Sequence, residues 1–387
     1  MNRLVSPQHP NDECHENGLT LVELLVSLVV VGLLATAIFS FFLTTSQSVS
    51  QQSASGEMWQ RGRNALAIMR QAIESAGYGL PRISDCPNGI AAYNANQAAS
   101  PFSLTAITAS VQSSGTYDPT ATSNINTFSL MTVAGGSSFG NVPAAQITSI
   151  PSMSSQRVFL TTTSTINSGD IFVVQIPGQA CLMAQITNLL TNGNGIGIVH
   201  NSGLSNYNPS GGFNTLAGAI YPGLSSTSFA GANFIDLGNN NFTINQFTIG
   251  DSGGTITPTL YLTQYTGNLT TPSRQALAQG VVDLQILYGL GTNGKVQSWI
   301  SPQKYQPSSA QSILAVQIAM LIRSTHYLPN SLSPASFVLP SASGQQAQSY
   351  TVPTSKGPGC MEGNCRHYEY HLFQTIIPVR NNIWGQG

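Results

Sequence analysis

Charge is what this sequence has least of. Of its 387 residues, 13 are Lys or Arg and 14 are Asp or Glu, a charged fraction of 7%, against roughly 25% in an ordinary soluble domain. With a net charge of −1 there is no basic field to displace counterions from a phosphate backbone, which argues against nucleic acid as a partner. Ser, Thr, Asn, Gln and Gly make up the polar surface instead. That composition suits an exported protein whose neighbours are like subunits, a membrane or another uncharged surface. Apolar runs of strand length recur along the chain, so a folded, loop-rich β domain is expected rather than disorder.

Cysteine is scarce as well, with five in all. Cys14 lies in a stretch expected to be removed on processing. Cys86, Cys181, Cys360 and Cys365 remain, an even number that allows three pairings. The short gap between Cys360 and Cys365, filled by Met-Glu-Gly-Asn, can close into a tight loop. This favours Cys360–Cys365 and, by elimination, Cys86–Cys181, formed in an oxidising compartment such as the periplasm.

Two further absences define the N-terminal region. Leu24 to Leu43 holds no charge, and Leu19 to Ala76 holds no proline. The first stretch is about long enough to cross a bilayer as a helix. The second can run as one helix of roughly 87 Å at about 1.5 Å per residue. Its later half, 44–76, is amphipathic: Met58, Gly62, Ala65, Met69, Ala72 and Ala76 recur at four-three spacing, widened by Leu66 and Ile73, and their small side chains allow a sheet to come close. Glu57–Arg61 and Arg70–Glu74 form i,i+4 pairs off that stripe. Gly77, Tyr78, Gly79, Leu80 and Pro81 then stop the helix.

One carboxylate, Glu23, sits at the edge of the apolar run, where lipid penalises a charge without a partner. A cut after Gly18 would create an α-amine on Leu19, a cation able to meet the Glu23 of a neighbouring helix. The segment Gly18–Leu25 (GLTLVELL) resembles the class III signal of type IV prepilins. The resemblance implies that residues 1–18 are a leader removed by prepilin peptidase, that Leu19 is N-methylated, and that Glu23 is the fifth-position assembly glutamate. Leu19 replaces the commoner phenylalanine, and Arg3 is the leader's only Lys or Arg, facing Asp12, Glu13 and Glu16.

Beyond Pro81 the pattern is β. Strands are expected at Thr127–Val133, Arg157–Thr163, Asp170–Ile176, Leu182–Leu189, Ile196–His200, Phe242–Ile249 and Thr259–Gln264. Long central strands are expected at Val281–Leu290 and Ser312–Ser324, and a closing strand at Arg366–Val379. Residues 84–125, 201–232 and 330–358 read as surface loops. RNALAIMRQAIESAGYGL, GDIFVVQIPGQACLMAQIT, GVVDLQILYGL and TIIPVRNN resemble PilW-type minor pilins. The expected fold class is therefore α+β and pilin-like, with a membrane half (19–43) and an amphipathic half (44–76) of one helix on a large antiparallel head (77–387). The resemblance implies a non-enzymatic pilus subunit at or near the fibre tip. Its partners would be other minor pilins, the major pilin and a large tip adhesin, and it would wait in the inner membrane with its head periplasmic. A type II secretion pseudopilin of the J kind shares the signal and the helix. An exported binding protein with an ordinary signal peptide, cut near 35–37 or 53–55, is the alternative from another class.

Several groupings resemble catalytic or metal sites but read as structural. Gly250–Gly254 spells GDSGG after His200 and Asp236, in triad order, yet Asp236 and Ser252 are too close in sequence for a chymotrypsin-like arrangement, and a polar turn accounts for the letters. Cys360, Cys365, His367 and His371 are zinc-ligand types, but four residues along a strand span roughly 13 Å, so a disulfide with two strand histidines is expected. Tyr288–Val296 lacks the carboxylates of a calcium loop and reads as a glycine-rich hairpin, and Asp236 with Asn239–Asn241 reads as a turn. No cofactor or metal is expected. N-terminal sequencing of the mature protein is expected to begin at methylated Leu19; a start beyond residue 37 would select the ordinary signal peptide.

Overall fold

The computed structural model describes residues 20–81, 85–112, 127–136, 143–190, 196–252, 255–267, 271–306, 312–329, 331–355, 360 and 363–381. Two compact units divide at Ser53/Ala54, and helix α1 (Leu21–Ser75) contributes to both. In the first unit every described side chain is exposed. An 18-residue window of α1 has a mean hydropathy of 2.6, enough by length and composition to cross a membrane.

The second unit packs the rest of α1 against β-sheets, so the chain is α+β and pilin-like in layout. One sheet has four strands in the order β16 (Lys295–Ile300), β15 (Val281–Thr292), β17 (Ser312–Arg323), β20 (Tyr370–Pro378). A five-stranded sheet runs β14 (Ser273–Gln279), β13 (Thr255–Thr266), β12 (Thr243–Ser252), β4 (Phe128–Ala134), β3 (Ile107–Val111). The α1 residues Met58, Ala65, Met69 and Ile73, with Ala76 just past the helix end, share one core with Phe128, Leu130, Phe247 and Leu260 of the second sheet. The same core takes in Leu284, Ile286, Val316, Ile318 and Phe373 of the first. β15 and β17 are buried along nearly their whole length, because α1 covers one face and a second apolar layer lies on the other. That layer holds Val282, Leu321, Tyr350, Cys360, Cys365 and Tyr370 and includes the hairpin β18 (Ser336–Leu339) and β19 (Gln348–Thr351).

A third sheet of nine strands runs β2 (Phe102–Leu104), β1 (Ile90–Ala92), β8 (Ala180–Gln185), β7 (Ile171–Ile176), β11 (Asn233–Gly238), β5 (Ala145–Ser149), β6 (Arg157–Leu160), β10 (Gly197–Val199), β9 (Asn188–Leu190). Its described pairings are antiparallel except β1 with β8. Helix α2 (Gly212–Ile220) covers part of it through Phe213, Leu216 and Ala217.

The expected loops are only partly loops. β1, β2 and β3 fall within 84–125, α2 within 201–232, and β18 and β19 within 330–358. The strands among them are three to five residues long, too short for alternation to register. In α2 the helical spacing of Phe213, Leu216 and Ala217 is present but masked by glycines and the lack of charge. The strand expected at Leu182–Leu189 breaks into β8 and β9, because the Ile186 amide turns to Asp170 O and that of Thr187 to Val199 O. The strand expected from Arg366 starts at Tyr370, after a 3₁₀ turn at Cys365–His367. β5, β11, β14 and β16 went unrecognised. β12 extends through Gly250–Ser252, so those residues are strand rather than turn. Asp236 likewise lies in β11, not in a turn.

Two packing features lead to tests. A Cβ on Gly62 would overlap the ring of Phe373, whereas one on Gly56 meets nothing within 4 Å. Gly62→Ala is therefore expected to cost about 1–3 kcal/mol through overpacking, and Gly56→Ala to gain about 0.5–1 kcal/mol from helix propensity, both read from denaturant midpoints. Asp283, in β15, is 1% exposed, and both its carboxylate oxygens accept from Gln285 Nε2, at 3.0 and 3.1 Å. Burial pushes its carboxyl up to about 7, against the hydrogen bonds from Thr127, Gln285 and the Leu284 amide. A folded-state pKa above the ordinary 3.8 means that this group's stability is complete below that value and is lost as pH rises through about 7. Asp283→Asn should flatten the fall in melting temperature between about pH 4 and pH 7, the interval between the ordinary and the folded-state values; an unchanged slope would show that Asp283 does not titrate across it.

Candidate functional site: the N-terminal helix and its seat

α1 begins with a local solution to its orphan donors. The Glu23 amide donates to Thr20 Oγ1 at 3.3 Å, and the Thr20 hydroxyl reaches back to Glu23 Oε2 at 3.5 Å. The first bond is the N-cap half of a capping box; the second joins the two side chains and leaves the Thr20 amide out. Glu23 also stands in the first turn, where the helix dipole favours a negative charge. The Thr-x-x-Glu spacing was readable in sequence, but reasoning about Glu23 alone passed over Thr20. Gly18 and Leu19 lie outside the described residues.

The hydroxyls of the apolar half are satisfied within the helix. Ser27, Thr36, Ser40 and Thr44 donate to Leu24 O, Gly32 O, Ala37 O and Ser40 O at 2.8–2.9 Å. They therefore present no unpaired donor to hydrocarbon. Gly32, Thr36, Ser40, Thr44 and Ser48 also recur every four residues, a spacing that lets helix backbones approach closely.

From Ala54 onward the helix is seated. Trp59 lies against His371, with ring centroids 3.9 Å apart, and edge-on to Phe373 at 5.0 Å. Of the two expected i,i+4 pairs, Glu57–Arg61 is loose at 3.8 Å and Arg70–Glu74 tight at 2.7 Å. Sequence reasoning missed a third cation, Arg380, 2.9 Å from Glu74. The hydrogen bond from Arg70 holds the Glu74 carboxyl below its ordinary range; burial opposes this and Arg380 adds to it. Asn381 Nδ2 donates to Ser75 O and Ala76 O at 3.3 and 2.9 Å. The chain then turns through Gly79, whose left-handed backbone packs directly on the Gly135 carbonyl, so glycine is required there.

Two disulfides brace the head. Cys86–Cys181 joins the segment after α1 to β8, and Cys360–Cys365 closes a short loop in the layer beneath β17 and β20. Arg323 lies over the Tyr368 ring at 4.3 Å, with its Nη1 3.3 Å from Cys365 Sγ.

The other candidate residues are engaged elsewhere. His200 is 2% exposed, packed against Phe213 and Phe172 at 4.5 and 6.0 Å, and its Nε2 has no partner among the described residues. Burial pushes its pKa down to about 4. Asp236 Oδ1 accepts from the Gly238 amide at 2.8 Å, and burial, with a further contribution from Asp170, pushes its carboxyl up to about 6. These two residues do not form a histidine–aspartate pair, and the side chain of Ser252 lies outside the described set. His367 Nδ1 pairs with Ser331 O at 2.8 Å while His371 faces Trp59. No group of three or more metal-ligating side chains occurs among the described residues. Between β15 and β16, Asn293 and Gly294 both have positive φ, the geometry of a two-residue hairpin turn.

Comparison with known proteins gives two matches. Residues 246–381 match the family model described as Type IV Pilus-assembly protein W. Residues 14–39 match the prokaryotic N-terminal methylation motif. No curated protein and no solved structure matches the chain. The first match takes in β20, Arg380 and Asn381, which hold the seated half of α1, and the second takes in Glu23 and most of the apolar half. On these two matches the chain is a pilin-like protein related to the type IV pilus.

Proposed function

We propose that the chain is a minor pilin, a non-enzymatic subunit that primes assembly of a type IV pilus and sits at its tip, serving twitching motility and adhesion. In this reading prepilin peptidase cuts after Gly18 and Leu19 is methylated. The apolar half of α1 waits in the inner membrane with the head in the periplasm. Assembly then carries the helix from lipid into a bundle of like helices in the extracellular fibre. Its partners are other minor pilins and the major pilin, met through α1, and a large tip adhesin. The observation that carries the reading is an acidic residue in the first turn of a helix whose apolar half is wholly exposed, inside a methylation-motif match.

The physical argument concerns Glu23. A carboxylate at the helix centre in lipid costs roughly 2.5–3.5 kcal/mol on insertion scales, less near an interface. Thr20 and the helix dipole offset part of that cost, but neither supplies a countercharge. The Leu19 amine of an adjacent subunit does, and the pairing sets the axial register between helices. The small-residue ridge from Gly32 to Ser48, an i,i+4 row inclined to the helix axis, supports close packing in such a bundle.

Glu23→Gln separates this role from capping, because glutamine keeps the amide bond to Thr20 Oγ1 and a carbonyl acceptor for the Thr20 hydroxyl while losing the charge. Co-purification with partner pilins is expected to fall several-fold for both Glu23→Gln and Glu23→Ala. Full incorporation of the glutamine variant would reduce Glu23 to a cap and refute the register role.

A further inference from the structure

We propose that β20 and the segment Val379–Asn381 form a latch that locks the exit end of α1 once residues 370–381 have docked. α1 has no basic residue in its last turn, and its last carbonyls have no intrahelical donors. A cation and hydrogen-bond donors near that end are normally supplied by neighbouring residues. Here Arg380 supplies the charge, bridging Glu74 at 2.9 Å. Asn381 supplies the donors to Ser75 O and Ala76 O across sequence separations of 306 and 305. Val379 anchors both: it is fully buried, and its amide donates to Leu314 O at 2.8 Å. Further back along the helix, β20 places His371 on Trp59 and Phe373 in the space left by Gly62. The contacts advance together, from Trp59 with His371 to Ser75 with Asn381, so the late segment runs alongside the seated half of α1 as a splint.

The consequence concerns order of events. The head end of α1 is made some three hundred residues before the groups that finish it. Until they dock, Glu74 lacks its second cation, Ala76 O lacks its donor, Ser75 O keeps only the Tyr78 amide at 3.1 Å, and the space beside Gly62 is unfilled. Given the pilin reading above, a subunit whose late strand has not folded presents a frayed helix end and is withheld from assembly.

Hydrogen exchange on the full chain in detergent tests the latch without reference to the pilus. In the double variant Arg380→Ala/Asn381→Ala, amides 68–77 should exchange at least tenfold faster, with β7 and β8 unchanged. Arg380→Lys/Asn381→Gln should restore most of the protection. Protection of 68–77 within twofold of the parent in the double variant would overturn the latch. If that variant loses β7 and β8 as well, Asn381→Asp, which turns an acceptor toward two carbonyls, is the decisive case: faster exchange confined to 68–77 supports the latch and unchanged exchange overturns it. Co-purification with partner pilins tests the assembly consequence. A fivefold or greater loss in the latch variant, with Glu23 intact, supports it; unchanged co-purification alongside faster exchange overturns it. Glu23→Gln should keep 68–77 protected while losing co-purification, so a failure of the pilin reading is distinguishable from a failure of the latch.

Discussion

The head is organised by how closely a helix can lie on a sheet. Gly62 and Ala65 leave the seated half of α1 without bulk where β20 and β17 pass, and the ring of Phe373 occupies the space that a side chain at 62 would need. From that contact follow the burial of β15 and β17 on the α1 face, the shared core with the five-stranded sheet and the position of β20. A larger residue at 62 would push β20 away and with it Arg380 and Asn381. The helix end and the sheet therefore depend on the same few side chains.

Scarcity of charge shapes the rest. Three of the head's carboxylates, Asp170, Asp236 and Asp283, are buried and held by amide donors: the Asn167 amide on Asp170, the Gly238 amide on Asp236 and Gln285 on Asp283. The polar surface is left largely to hydroxyls and carboxamides. Within the apolar half of α1 the same economy appears in another form, because each of Ser27, Thr36, Ser40 and Thr44 bonds to the turn before it. Such a helix keeps an apolar surface, with its slim residues along one inclined i,i+4 ridge.

How much of this was legible depended on range. α1 was readable almost to its ends, because Leu19 to Ala76 holds no proline and its later half carries a four-three stripe. The long strands β15 and β17 were readable from apolar length, while β12 and β13 were readable in part and extend beyond the expected Phe242–Ile249 and Thr259–Gln264. The short strands were not, since three residues such as Ile90–Ala92 carry no period. α2 was missed because its polar face has no charge to mark it. In the functional region, Glu23 stood out as a lone acid in an apolar run. Arg380 and Asn381 did not, because nothing local connects them with residues 74–76; that pairing exists only in three dimensions. Thr20 was the reverse case, a local signal overlooked beside a stronger neighbour.

Cys86–Cys181 ties the stretch after α1 to β8, which lies between β1 and β7 in the nine-stranded sheet. A tensile force drawn along the seated end of α1 would meet this covalent bond almost at once. It would cross directly into β8 and bypass the 95 positions that separate the two sulfurs in sequence. The short strands of that sheet in the interval, β1, β2, β5 and β6, lie off the load path, so the thinnest parts of the sheet need not be its strongest.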